Sequence, residues 1–208
     1  MPRDAESTRE RILRAADALF YSERLSAVSM DRIAQTAGVT KKTLYYHFRS
    51  KDDLMGAYLE ARHEPVMTRY QNWAGTDGTV ACRMVRLFRN LGAASANRAW
   101  CGCSFLRAVC ELADLPGHPA SVAARRHKAA FEVWLRTLLE EEGARDSEML
   151  ARMLMILLDG AIAQVLVHRN PAYAEAAAVA AAVLIETGAA EANVKWQGPA
   201  RQLTGKAA

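Results

Sequence analysis

The stretch AGVTKKTLYYHFRSKDDL, Ala37 to Leu54, carries a glycine, two lysines, two adjacent tyrosines and a histidine among apolar residues, then restarts at a serine followed by acidic residues. Gly38 takes a left-handed backbone cheaply and so ends the helix before it. That helix begins near Ser29 and turns Met30, Ile33, Ala34 and Ala37 inward. The next helix starts from Thr40, whose hydroxyl can cap it, and buries Leu44 and Phe48 four residues apart. Ser50 caps a further helix, with Asp53 at the capping-box position and acidic charge at the positive helix end. Two short helices on a tight glycine turn, with small Ala34 at their closest approach, form a helix-turn-helix pattern.

The second helix of that pair raises the functional question. Lys41 and Lys42 stand at its N-terminal end, where the macrodipole disfavours a cation. An electronegative phosphate ridge reverses that penalty, because lysines and unbonded backbone N–H groups together make an anion site. Tyr45, Tyr46 and His47 cannot all face the core that Leu44 and Phe48 face, so some of these rings point outward, able to reach phosphates or base edges. On charge alone, a solvated basic surface and ordinary tyrosine packing stay open as alternatives.

The rest of the 208-residue chain, 51% hydrophobic, repeats apolar residues at helical spacing and shows no sustained strand alternation, so an all-α fold is expected. An N-terminal stripe of Ile12, Ala15, Ala16, Leu19 and Phe20 follows Ser7 and Thr8 as candidate caps. The helix from Ser50 is expected to run to about Trp73 with a kink at Pro65, and others over roughly 79–97, 104–113, 119–142, 147–169 and 171–188. Residues 1–49 read as a DNA-binding unit, 50–190 as a larger helical unit, and 191–208 as a flexible tail. Net charge is +4, and residues 1–51 hold ten Lys/Arg against six Asp/Glu, a local basic excess that hints at a polyanion partner. Acidic residues among the first arginines argue against a secretory signal, and the alanine-rich stretch 174–190 is too weakly apolar to span a bilayer, so a cytoplasmic protein without membrane contact is expected.

The span from about Thr8 to Leu54 resembles the tetracycline-repressor (TetR) family of bacterial transcription regulators, through RILRAADALF, SMDRIAQTAGVTKKTLYYHFRSKDDL and their spacing. One position departs from the family pattern: the glycine often found after the first helix is Arg24. The resemblance implies a three-helix DNA-binding domain, an all-helical domain for ligand binding and dimerisation, and repression of a palindromic operator relieved by a small molecule. It implies that Thr40, Lys42, Thr43, Tyr45, Tyr46 and His47 face DNA, with Lys51 clamping a phosphate and Ser29 touching the backbone. Lys41 joins this set through its charge.

In the larger unit, Trp73, Phe88, Trp100, Phe105, Phe131 and Trp134 are spread over several helices at positions able to converge. They fit a plain core or a pocket, and the resemblance favours a pocket, with Cys103 and polar groups from Arg107, Glu111, His118 and His127. Cys101 and Cys103, around Gly102, lack metal-site spacing and read first as inert buried thiols; an electrophile- or redox-sensing repressor acting through them is the alternative. Neither metal nor cofactor is expected. An enzyme on a helical scaffold is the rival reading, without a zinc, phosphate-loop or nucleophile motif to carry it. MLARMLMILLDGAIAQVLV is apolar nearly all round, and with the alanine-rich last helix it reads as a homodimer surface, assigned to Met153, Ile156, Gly160, Gln164, Val179 and Val183.

Overall fold

The computed structural model describes residues 2–190, with side chains over 8–188, and the tail expected at 191–208 lies outside the described residues. Among the described residues every regular element is an α-helix: α1 (Pro2–Ser22), α2 (Met30–Ala37), α3 (Lys41–His47), α4 (Lys51–Ala74), α5 (Val80–Ser95), α6 (Ser104–Glu111), α7 (Pro119–Glu141), α8 (Ser147–His168) and α9 (Ala172–Ala190). The sequence limits hold to within a few residues except at the start. Pro2 opens α1, so Ser7 and Thr8 lie inside the helix rather than capping it.

Local chemistry accounts for the boundaries. The hydroxyls of Ser29, Thr40 and Ser50 each accept from the backbone N–H three residues on, at 3.1–3.2 Å, satisfying donors that a helix start leaves free. Asp53 reaches back to the Arg49 N–H at 3.0 Å, one residue before the capping-box partner expected of it. Gly38 sits at φ 63°, and the N–H groups of Gly38 and Val39 bond back to the Gln35 and Ala34 carbonyls, the paired bonds that close a helix on a left-handed residue. Arg24 needs no such geometry: Arg169 is the one non-glycine with positive φ among the described residues.

Ile12, Ala16, Phe20, Val28, Ile33, Leu44 and Phe48 are buried together, uniting α1, α2 and α3. In α2, Ala37 stays half-buried rather than fully inward. Helix α4 leaves this cluster and continues through Pro65, whose missing N–H deprives the Ala61 carbonyl of its helical partner, into a bundle with α5, α7, α8 and α9. Here α8 runs against α7 and α9, and α9 against α5. Among the described residues, helix α8, rather than the alanine-rich α9, is the one long and apolar enough to cross a membrane by length and composition. Its Leu150, Leu154, Leu158, Ile162 and Val165 are nevertheless buried in the bundle.

Candidate nucleic-acid interface and effector site

Helix α3 separates its two faces sharply. Leu44 and Phe48 are fully buried, while Tyr46 is 81% exposed and Thr40, Lys42 and Tyr45 are also exposed; Thr43 and His47 are intermediate. The His47 ring stands edge-on to Tyr46 at 5.2 Å. Ser29 is exposed at the start of α2, on the same unit. Thr40 and Thr43 hydroxyls bond each other at 2.8 Å, which holds the first turn of α3 rigid.

The three lysines are not equivalent. Lys41 pairs with Asp31 at 2.8 Å, and the hydrogen bond to Asp31, with its charge, raises the ammonium above its ordinary pKa. Its place at a helix start is thus explained inside the chain, and the phosphate argument made for both lysines rests on Lys42. Lys51 donates to the Ser26 carbonyl at 2.7 Å and is partly withdrawn from solvent; burial lowers its pKa, against the opposing charges of Glu111 and Asp52. It braces the α1–α2 loop before it can clamp a phosphate.

That loop is held from the other side by α6. The Glu111 carboxylate accepts from the backbone N–H groups of Leu25 (2.9 Å) and Ser26 (2.7 Å) and from the Ser26 hydroxyl. Burial pushes the Glu111 carboxyl up, but these bonds outweigh it and hold the net pKa below the usual range. Arg107, expected in the pocket, instead donates to the Tyr21 and Glu23 carbonyls at 2.6 and 3.0 Å, where α1 ends. Both side chains therefore connect α6 to the helix-turn-helix unit. His118, also expected near the pocket, caps α7 through Nδ1 to the Ala120 N–H and approaches Asp52 through Nε2 at 3.3 Å.

The aromatic residues converge, but largely on one another. Ring contacts run from Trp73 to Tyr70 to Phe131 to Trp134, and from Phe131 to His127, which stacks on Phe105 at 3.7 Å. His127 Nδ1 lies 3.0 Å from His63 Nδ1, and burial, then the charges of Lys128 and His63, pushes the His127 pKa down to about 3. Phe88 borders a void of only about 10 Å³ with Phe131. Trp73, Trp100, Cys103 and Phe105 do line one slot, with Tyr21, Arg62, Arg69 and Tyr70, but it holds about 30 Å³, room for roughly one water. The expected open pocket around Phe88, Phe131 and Trp134 is filled by these rings. Cys103 is 8% exposed and Cys101 half-buried, its thiol 3.4 Å from the Ala99 carbonyl.

A wider concavity of about 380 Å³ lies between α1 and α4, lined by Leu13, Arg14, Asp17, Tyr58, Ala61, Arg62, Pro65, Val66 and Arg69. Arg62 pairs with Asp17 across it and lies over the Tyr21 ring at 4.7 Å. These arginines escaped the sequence reading, although Tyr58, Arg62, Val66 and Arg69 recur at helical spacing and so share one face of α4.

All six residues assigned to the dimer surface lie on the outside of the bundle. Ile156, Val179 and Val183 are exposed apolar side chains, Met153 and Gln164 are exposed, and a Cβ added to Gly160 would meet nothing within 4 Å. Met149 and Val167 extend the same strip along α8.

Residues 12–58 match a family model described as bacterial regulatory proteins, tetR family. The HTH-type transcriptional regulator SrpR of Pseudomonas putida is 40% identical over 63 residues, 30% of this chain and 30% of that protein. AcrR of Shigella flexneri, another HTH-type transcriptional regulator, is 40% identical over 57 residues, 27% of this chain and 26% of its own length. The chain thus matches less than a third of the length of these curated relatives. The fold likeness is broader. The crystal structure of SCO4454, a TetR-family transcriptional regulator from Streptomyces coelicolor, superposes with a TM-score of 0.78 at 29% identity, over 88% of this chain and 97% of that one. The reduced form of NemR from E. coli shares the fold, with a TM-score of 0.69 at 21% identity over 84% and 95% of the two chains. The helix-turn-helix of this chain thus matches the tetR family of bacterial regulatory proteins, and its fold superposes along nearly the full length of a TetR-family regulator.

Proposed function

We propose that this protein is a homodimeric transcription regulator that represses a palindromic operator and is released from it by a small molecule. The observation that carries the reading is the two-faced α3: a seven-residue helix anchored by Leu44 and Phe48 and presenting Lys42, Tyr45 and Tyr46 to solvent. Tyr46 is an aromatic ring with a polar tip and no place in the core, the kind of side chain that contacts DNA backbone and base edges. Residues 1–49 serve as the reading unit and 50–190 as the ligand and dimer unit, joined through the continuous α4 and the α6 contacts at Arg107 and Glu111.

A twofold pair of recognition helices must match successive major grooves, about 34–36 Å or a multiple apart. Ligand binding shifts the population toward a state in which α4 and α6 carry the two units to another spacing. The apolar strip on α8 and α9 supports dimerisation as a covered face in a four-helix interface. Footprinting the full-length protein on the DNA upstream of its own gene tests the reading. Two protected half-sites in inverted repeat are expected, lost on adding an active metabolite fraction. Uniform, sequence-independent binding even at low salt would count against an operator.

The cysteine alternative gains no support from the geometry. Cys103 is buried at the head of α6 and Cys101 is half-buried, whereas Cys82 and Cys110 are the exposed thiols.

A further inference from the structure

The groove between α1 and α4 differs from the other surface depressions in what its charges are doing. Two hollows of about 290 and 440 Å³ between α5 and α9 also carry arginines. There, however, Arg89 holds both oxygens of Glu175, and Arg86 holds Asp77 and the Ala74 carbonyl. Their cations are already neutralised within the chain. In the α1–α4 groove Arg69 is exposed and has no ion-pair partner among the described residues, its guanidinium lying 6.0 Å from the Trp73 ring. Arg14 has only a 4.0 Å approach from exposed Glu10, which does not line the groove. Arg62 is shared with Asp17, yet its buried Nε lacks a hydrogen-bond partner. Arg14, Arg62 and Arg69 thus line a groove whose one lining carboxylate is Asp17, with Leu13, Ala61, Pro65 and Val66 as apolar walls.

We propose that this groove is a binding site for a small organic anion, a carboxylate on an apolar body, with Arg14 and Arg69 receiving the acid group and Arg62 within its reach. About 380 Å³ suits a compact ligand. The apolar body covers Leu13 and Val66, and an acid group there makes the charge-assisted bonds that planar guanidinium groups favour. A neutral molecule of the same shape leaves the excess positive charge unmatched, and a cation meets repulsion. Because one wall is α1 and the other α4, the acid competes with Asp17 for Arg62 and weakens the ion pair that ties the two helices together. The effect on operator binding rests on the repressor reading; the site itself does not.

Calorimetry on the full-length protein with matched probes tests it: 4-phenylbutanoate and octanoate against 4-phenylbutanamide and octanamide. The acids are expected to bind roughly ten-fold or more tighter than the amides. Arg14→Gln and Arg69→Gln together are expected to erase that preference with unchanged helical content, and Asp17→Asn to tighten acid binding several-fold by removing the competitor. Equal binding of acid and amide, a preference that survives the double variant, or no acid binding at millimolar concentration overturns the site. Acid binding that depends on both arginines but leaves operator contact unchanged keeps the site and overturns its coupling to DNA.

Discussion

Among the described residues, Lys42 and Tyr46 occupy the open face of α3 with no ion pair or core contact to explain them, whereas Lys41, one residue earlier, is held by Asp31. Replacing Lys42 by alanine is expected to weaken operator binding by about five- to ten-fold and to reduce the log–log salt slope by roughly one counterion. Tyr46→Ala should weaken binding comparably with no change in salt slope, and Lys41→Ala should do less than Lys42→Ala. Fluorescence anisotropy across a salt series separates these effects, and equal, unchanged affinities in all three variants would remove α3 as the reading helix. His127 gives a second test at this scale. Buried, it titrates near 3 in the fold against 6.5 in the unfolded chain, so the unfolded state takes up a proton that the native state refuses. Its contribution is intact above about pH 6.5 and is lost as pH falls toward 3, by up to about 1.4 kcal/mol per pH unit. Comparing urea midpoints at pH 7.5 and pH 5, the loss should be smaller in His127→Gln than in the unaltered protein; an equal loss in both would mean that other groups set the acid sensitivity.

Among the elements, α6 has the most specific connections. Eight residues long, it places Arg107 on the carbonyls at the end of α1 and Glu111 on the N–H groups of the following loop, with Lys51 of α4 on the Ser26 carbonyl. A carboxylate accepting from Leu25, Ser26 and the Ser26 hydroxyl holds that loop more firmly than a neutral amide can. Glu111→Gln is therefore expected to accelerate amide exchange at Leu25 and Ser26 by about ten-fold while the exchange of Leu44 and Phe48 stays slow. If the proposed switch runs through α6, the same variant loses part of its response to ligand. Unaltered exchange at both loop amides would show that Glu111 does not restrain the loop in solution.

At the scale of the whole molecule, the bundle leaves one apolar strip uncovered on α8 and α9, with Ile156 72% exposed beside open Gly160. A Cβ at Gly160 meets nothing within 4 Å in its own chain, so Gly160→Leu should fold with normal helical content. Against a closely approaching partner helix the same side chain has no room, and dimer dissociation is expected to rise by about ten-fold or more. Sedimentation velocity distinguishes the two: a normal dimer in this variant moves the interface elsewhere. Operator binding should fall with the dimer, because a single half-site contact forfeits the second helix's contribution.

The sequence by itself determined the helices and the helix-turn-helix, because each depends on neighbours within a few residues. Ser29, Thr40 and Ser50 cap their own helix starts, Gly38 supplies the one left-handed residue the turn needs, and Leu44 and Phe48 share a face by spacing alone. The tertiary structure alone decided which charges were already occupied and where space remained. Arg107 and Glu111 looked like pocket residues until packing brought α6 against the α1–α2 loop, some eighty-five positions away in the chain. Trp73, Phe105, His127, Phe131 and Trp134 are apolar or aromatic in either role; whether such residues line a cavity or fill one another's gaps depends on how α4, α6 and α7 interlock. The state of the arginines in the α1–α4 groove was equally hidden, since an arginine's partner is a matter of long-range geometry: Asp17 reaches Arg62, while among the described residues no acid pairs with Arg69.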